Sequence, residues 1–359
     1  MVDLVNLVQT LTSPHHLDRY LELVKPTLTV RDMRAEITDV DRSVPGSVTL
    51  TLRPTRQWKG HAAGQYVEVG VVIDGVRHTR CYSPIDPQYR SDRRIRLTVK
   101  RHPEGLVSGY LHRAACAGMV VSLAPASGVF RLPETRPDRL LLISGGSGIT
   151  PVLSMLRTLA DEGYPGEVVF LHYAKSPEAV PHRADLAAIA ARHSNFRVEF
   201  RYPSIVDSAT GNPGGYFDHD ELARVAPWFA DAQAFVCGPS ALMDAVREVY
   251  ESQHLENSLH TEEFTLSTTP LDADEVFGAA NFLASGVQAQ NAGATLLEQA
   301  ESAGLAPEYG CRMGICFSCT AVRRTGCTRN VRTGETNSDP DQPIQLCISA
   351  AVGDVEIDI

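Results

Sequence analysis

No run in this 359-residue chain approaches the ~20 apolar residues that a membrane-crossing helix needs. The N-terminus opens Met1-Val-Asp-Leu-Val-Asn6, without a basic stretch followed by an apolar one. No secretory signal is expected there, and the cytoplasm is the expected compartment, with thiols kept reduced. Internal repeats and low-complexity tracts are absent. Excess positive charge is missing as well: the net charge is −10, which speaks against nucleic acid as a partner and for cationic proteins. From Asp274 onward there is no lysine at all, against eleven Asp and Glu and five Arg. An acidic face of that kind steers a small domain toward a basic acceptor surface, or simply keeps it soluble. The twelve histidines form no pairs at helical spacing that would hold a metal, and His15 and His16 read as solvated.

What is present is concentrated near the C-terminus. Cys311, Cys316 and Cys319 stand in Cys-x4-Cys-x2-Cys spacing, and Cys347 follows 27 intervening residues later. Zinc knuckles favour paired C-x2-4-C units, and this loop has one close pair only. Disulfides need an oxidising compartment, for which there is no signal. The spacing is that of a plant-type [2Fe–2S] cluster, in which four thiolates hold two irons. Glycines around the ligands let backbone N–H groups approach the sulfides, where such bonds help set the potential. Of the remaining cysteines, Cys81 and Cys116 read as packed small residues, and Cys327 has no assignment.

The length suits two or three domains. Residues 1–34 form a helical N-terminal extension, with Leu4, Val5, Leu7, Val8 and Leu11, then Leu17, Tyr20, Leu21 and Val24, at helical spacing and split by Pro14. Residues 35–133 read as a small antiparallel β-barrel: Val48, Leu50 and Leu52 alternate with Thr49 and Thr51, and Ile95, Leu97 and Val99 repeat the pattern. Residues 134–264 alternate strands and helices, a parallel sheet with crossovers. Its first strand, Leu140 to Ser144, is continuously apolar up to the serine, as burial on both faces requires. Residues 265–274 are a linker by composition, and residues 275–359 carry the cluster. There Thr295-Leu-Leu-Glu298 is a capping-box start for a helix expected to stop near Gly304.

Three further motifs bear on chemistry. Gly145-Gly-Ser-Gly-Ile-Thr-Pro151 follows the first parallel strand directly. Its glycines permit a tight turn and close ligand approach, Thr150 is expected to cap the next helix with Pro151 in its first turn, and that helix end suits a pyrophosphate. Arg80-Cys-Tyr-Ser83 offers a guanidinium for a diphosphate, a ring to flank a flat heterocycle and a hydroxyl for its edge. Thr98 to Ser108 supplies a strand, a turn and a second helix start built of small residues.

The order of Arg-x-Tyr-Ser, the Gly145 loop, Cys237-Gly-Pro239 and the spaced cysteines resembles the ferredoxin–NADP⁺ reductase superfamily, in the branch with a C-terminal plant-type ferredoxin domain. The resemblance covers residues 35–359. It implies a multidomain fold: an antiparallel β-barrel FAD domain, an α/β parallel-sheet NAD(P) domain and a β-grasp (α+β) ferredoxin domain. It implies FAD held by Arg80, Tyr82 and Ser83, with Val99, Lys100, Gly105, Val107 and Ser108 on the diphosphate side. Gly145, Gly146, Gly148, Thr150 and Pro151 would receive the nicotinamide nucleotide, and Cys237, Gly238 and Pro239 would lie by its ring. Ser83, Cys237 and Glu262 would be the catalytic set, with Phe264 also near the flavin. No acid ends the second parallel strand, while Lys175 stands just beyond it and Arg183 and Arg201 follow, so NADPH is expected over NADH.

Proteins of this branch pass electrons from NADPH through FAD and [2Fe–2S] to a separate oxygen-activating enzyme. The leader, with Ser13-Pro-His-His-Leu-Asp-Arg-Tyr-Leu21, resembles reductases that serve acyl-CoA desaturases, which implies a membrane desaturase as acceptor and a peripheral position at the inner membrane face. The alternative acceptor is a Rieske ring-hydroxylating oxygenase or another monooxygenase. A reductase of free flavin or quinone, and a redox sensor without turnover, are the rival classes. Arg312, Met313 and Phe317 are expected at the docking edge.

Overall fold

The computed structural model describes residues 17–103, 105–205, 215–264, 276–310, 312–314 and 317–359. The first half of the leader, the linker and the ligands Cys311 and Cys316 lie outside the described residues. The chain divides into two compact units, one of residues 1–78 and 82–263 and the other of residues 79–81 and 264–359. No helix among the described residues is long and apolar enough to cross a membrane.

In the first unit, helix α1 (Leu17–Val24) leads to six antiparallel strands, β1 (Arg34–Asp41), β2 (Ser47–Pro54), β3 (Val67–Ile73), β4 (Val76–Tyr82), β5 (Ile95–Lys100) and β6 (Val120–Leu123), with α2 (Leu106–Ala114) between the last two. Their order is β4-β3-β6-β1-β2-β5, and a bridge from Pro84 to Leu97 brings the chain leaving β4 against the far edge strand. That contact curls the sheet toward a barrel and covers part of the β5 edge. Val48, Leu50 and Leu52 and Ile95, Leu97 and Val99 all fill its core, as their alternation requires.

The same unit continues into a five-stranded parallel sheet of β7 (Arg139–Gly145), β8 (Glu167–Tyr173), β9 (Phe196–Arg201), β10 (Gln233–Cys237) and β11 (Leu259–Glu262), ordered β11-β10-β7-β8-β9. Crossovers run through α3 (Ile149–Asp161), α4 (Arg183–Arg192), α5 (His219–Val225) and α6 (Ser240–Ser252). β11 was not expected as a strand. It is a polar edge strand, Leu-His-Thr-Glu, held by its ladder to β10 and with its two middle residues exposed. Barrel and sheet are bolted together through the segment after β4. The Arg157 guanidinium on α3 donates to the Ile85 carbonyl at 2.6 Å and pairs with Asp185, and Ser154 donates to the Asp86 carbonyl. Asp86 itself is fully buried and paired with Arg90 and Arg96 at 2.7 Å.

Among the described residues, the second unit is a mixed sheet on one α-helix. β12 (Ala279–Phe282) and β13 (Val287–Gln290) form a hairpin, α7 (Leu296–Ser302) follows, and β14 (Thr320–Asn330), β15 (Thr336–Asn337), β16 (Gln342–Gln345) and β17 (Ser349–Asp358) complete it. β12 runs parallel to β17, and β14 antiparallel to it. The capping box is as expected: Thr295 and Glu298 exchange bonds at the start of α7, and the helix ends before Gly304, which takes a positive φ of 85°. Arg323 on β14 is wholly buried and donates to Thr328, Asn337 and the Asp339 carbonyl, so a cation held by neutral oxygens fixes the β14–β15 end.

Candidate functional site

In a parallel sheet, ligands sit outside the carboxyl ends of the strands. Strand register sets four side chains in one row there. His172 on β8 stands opposite Ser144 on β7, Ser144 opposite Cys237 on β10, and Cys237 opposite Glu262 on β11. Their neighbours in sequence, Ile143, Leu171 and Val236, belong to the core shared with α5 and α6. By alternation the row therefore faces the other way, toward α3 and the barrel. All four are buried.

The row is polar yet uncharged. Burial, then the nearby Glu262 and Glu263 carboxyls, hold the Cys237 thiol well above its ordinary range, so it is no nucleophile near neutral pH. Burial alone raises the Glu262 carboxyl to about 8. Its Oε2 has no hydrogen-bond partner among the described residues. The folded chain then keeps this proton up to about pH 8, whereas the unfolded chain gives it up near 4.5. Stability from this group is complete below about pH 4.5 and is lost as pH rises through 8. Glu262→Gln is expected to flatten that decline. The thermal midpoint should fall less between about pH 6 and pH 8.5 in the variant than in the parent, and parallel declines would refute the burial account.

The barrel contributes Ser83, just past β4, 2 % exposed and with its Oγ unpartnered. A buried hydroxyl without a partner is costly unless a ligand supplies one. Arg80 and Tyr82 lie in β4 itself, and the Tyr82 ring packs on the barrel core. Val99 and Val107 are core residues. Gly105 caps α2 and the Ser108 hydroxyl is already engaged, accepting from His102 N–H and donating to the Gly105 carbonyl, so it holds the turn. Phe264 follows β11 by two residues and belongs to the second unit.

The glycine loop differs in detail from expectation. Gly146–Gly148 forms one 3-10 turn that runs into α3, whose N-cap is Gly148, not Thr150. Thr150 lies inside the first turn and donates to the Ser147 carbonyl at 3.3 Å, with Pro151 beside it. Thr150 fails as a cap because the turn before it already supplies helical carbonyls. Only Gly146 needs the left-handed region, at φ 54°. A side chain on Gly145 would strike Pro239 at 2.6 Å, one on Gly238 would strike Leu242 at 2.9 Å, and one on Gly148 would overlap the Cys237 carbonyl. These glycines let the loops after β7 and β10 close on one another.

Cations gather at the same end. Lys100 ends β5 and its Nζ lies 3.2 Å from where a Gly146 side chain would begin. Burial, then the charge on Lys175, lowers the Lys100 ammonium. Neither lysine makes an ion pair among the described residues. Arg183 begins α4 and sits over the Phe200 ring at 5.6 Å. Arg201, counted with these cations from sequence, is instead paired with Glu199 and Glu221.

In the second unit, Cys319 and Cys347 meet. Both are 2 % exposed and belong to the domain core, and the Cys347 N–H points at Cys319 Sγ at 3.5 Å. An amide aimed at a buried sulfur suits a thiolate ligand. In the segment before Cys319 the chain is tight: Arg312 and Phe317 take φ near 59° and 58°, and a side chain on Gly314 would strike Ile348 at 2.6 Å. Arg312 is tied down by Glu301 on α7 and by the Tyr309 ring at 3.9 Å, whereas Phe317 is exposed. Of the ligands expected from spacing, Cys319 and Cys347 are brought together, while Cys311 and Cys316 lie outside the described residues; the polar row, which exists only through register, was not expected.

Three domain families match the chain: the oxidoreductase FAD-binding domain over residues 43–131, the oxidoreductase NAD-binding domain over residues 142–248, and the 2Fe-2S iron-sulfur cluster binding domain over residues 283–351. The chain is 35 % identical over 354 residues to an NADPH oxidoreductase of Mycobacterium tuberculosis, an overlap of 97 % of this chain and 90 % of the relative. It is 30 % identical over 322 residues to the glycine betaine monooxygenase reductase subunit of Pseudomonas aeruginosa, covering 82 % and 86 %. The solved structure of phthalate dioxygenase reductase superposes with a TM-score of 0.64 at 23 % identity, over 91 % of this chain and 97 % of that one, a likeness of fold.

Proposed function

Because the chain belongs to the ferredoxin–NADP⁺ reductase superfamily, in the branch with a C-terminal [2Fe–2S] domain, we propose that it delivers electrons from NADPH to a membrane fatty-acyl desaturase. At the coarser level it is an NAD(P)H-dependent flavin oxidoreductase that uses FAD, a [2Fe–2S] cluster and a nicotinamide coenzyme. When bound, the groups would supply the redox chemistry, in which a hydride leaves the nicotinamide for the flavin as two electrons that then pass singly through the cluster. The chain's own residues bind, orient and hold protons.

Arg80, Tyr82 and Ser83 would hold the flavin, with the orphan Ser83 hydroxyl at the isoalloxazine edge. Glu262, protonated at neutral pH, keeps a proton within the crevice without adding charge. Cys237, a neutral thiol, supplies a small polarisable wall. Gly145, Gly146 and Gly148 with Gly238 and Pro239 shape the coenzyme loop, and Lys175 and Arg183 would meet a 2′-phosphate. Cys311, Cys316, Cys319 and Cys347 would hold the cluster.

The observation that carries electron delivery is the buried Cys319–Cys347 pair with its amide on sulfur. NADPH is supported by Lys175 just beyond β8 and by the name of the mycobacterial relative. The desaturase reading is supported by the leader motif and by an apolar surface at α1, where Leu23 and Val24 are 84 % and 80 % exposed. A second reading, reductase subunit of an oxygenase, is favoured by the glycine betaine monooxygenase relative. Coupled assays with purified acceptors decide between them. NADPH consumption driven by a desaturase and its acyl substrate is expected, and turnover with an oxygenase component but none with a desaturase would overturn the first reading.

A further inference from the structure

His172 was assigned no role by sequence, yet one of its ring nitrogens is a buried polar atom without a partner among the described residues. It is 0 % exposed, at the carboxyl end of a central strand. Its Nδ1 lies 2.8 Å from the Ser144 hydroxyl. Its Nε2 is shut from solvent and has no partner among the described residues. Burial and then the Lys100 charge hold the imidazole down to about 3, so the ring is neutral and one nitrogen carries its proton. When Ser144 donates to Nδ1, that proton sits on Nε2.

What surrounds this N–H selects an anion. The chain has only four lysines, and two of them, Lys100 and Lys175, meet here without carboxylate partners among the described residues. Lys100 reaches Gly146 and acts on His172 as well. The 3-10 turn Gly146–Gly148 and α3 behind it add amides and a positive dipole end. A buried donor without a partner, two ammonium groups without a carboxylate and a helix start, all judged among the described residues, gather at this end of the sheet. The buried donor is a cost in the free protein that an oxyanion would relieve, and the exposed ammonium groups would attract that oxyanion.

We infer that His172 is a coenzyme-binding residue whose Nε2–H, together with Lys100, takes an oxygen of the nucleotide diphosphate, with Ser144 fixing the tautomer from below. This rests on the reductase reading and adds to it a buried donor. The diphosphate is common to both coenzymes, so the contact contributes affinity and leaves the choice between NADPH and NADH to Lys175 and Arg183.

His172→Asn keeps an acceptor where Nδ1 stood and removes the Nε2 donor, whereas His172→Gln places an amide N–H near Nε2. The full-length FAD-loaded protein is assayed by flavin reduction with NADPH, with NADH, and with 1-benzyl-1,4-dihydronicotinamide, a hydride donor without phosphate. In His172→Asn the efficiency with each dinucleotide should fall about tenfold or more relative to the phosphate-free donor, carried by KM. His172→Gln should recover part of it, and Ser144→Ala should move the ratio the same way by less. An equal loss with all three donors would mean a structural role only and overturn the inference, as would an unchanged ratio. If His172→Asn does not retain FAD, the Ser144→Ala ratio decides alone. A parent protein that neither dinucleotide reduces would instead remove the reductase reading itself.

Discussion

Cys347→Ser is expected to reduce cytochrome c turnover to background while the flavin still reduces ferricyanide. Ferricyanide accepts electrons from the flavin, whereas cytochrome c stands in for a protein acceptor served by the cluster. Cys347 is buried in the domain core with its amide on Cys319 Sγ, so a serine there changes ligand chemistry with little change of volume. Loss of the cluster also removes its contribution to folding, so the C-terminal domain should melt earlier than in the parent. Retained cytochrome c reduction with full iron content would mean that another residue completes the ligand set.

Ser83→Ala is expected to slow reduction of the bound flavin by NADPH by roughly 10²-fold, the scale for losing one preorganised hydrogen bond at a reacting centre. The hydroxyl is buried and unpartnered in the protein alone, so its partner has to arrive with the ligand. Flavin content should be nearly unchanged, because Arg80 and Tyr82 remain. Stopped-flow bleaching separates the two effects. A parent-like rate would place Ser83 in flavin packing and not in the chemistry.

The parts of the fold carried by local pattern were legible in the sequence. Thr295 and Glu298 announce α7 because a capping box is a contact between residues three apart. Val48, Leu50 and Leu52 announce β2 because burial on one face has period two. The approach of Cys319 and Cys347 was legible through spacing, since four thiolates around two irons would restrict loop length. What was not legible depends on distant residues. β11 carries no apolar signal, and only its pairing with β10 makes Leu259–Glu262 a strand. The row His172, Ser144, Cys237 and Glu262 joins four strands across 119 positions of chain, and no local window contains it. Arg201 read as a free cation because its partner Glu221 sits on a helix twenty residues on. Thr150 read as a cap because Ser, Thr and Gly are all cap formers, and only backbone geometry decides which one serves.

The central claim is an internal path from nicotinamide coenzyme through flavin to cluster. Anaerobic titration of the purified protein with NADPH and then NADH, followed by visible absorbance and EPR, tests it most directly. Bleaching of the flavin together with a reduced [2Fe–2S] signal, at lower concentration of NADPH than of NADH, is the result predicted. Bleaching without any cluster signal would contradict electron delivery and leave a simple flavin reductase.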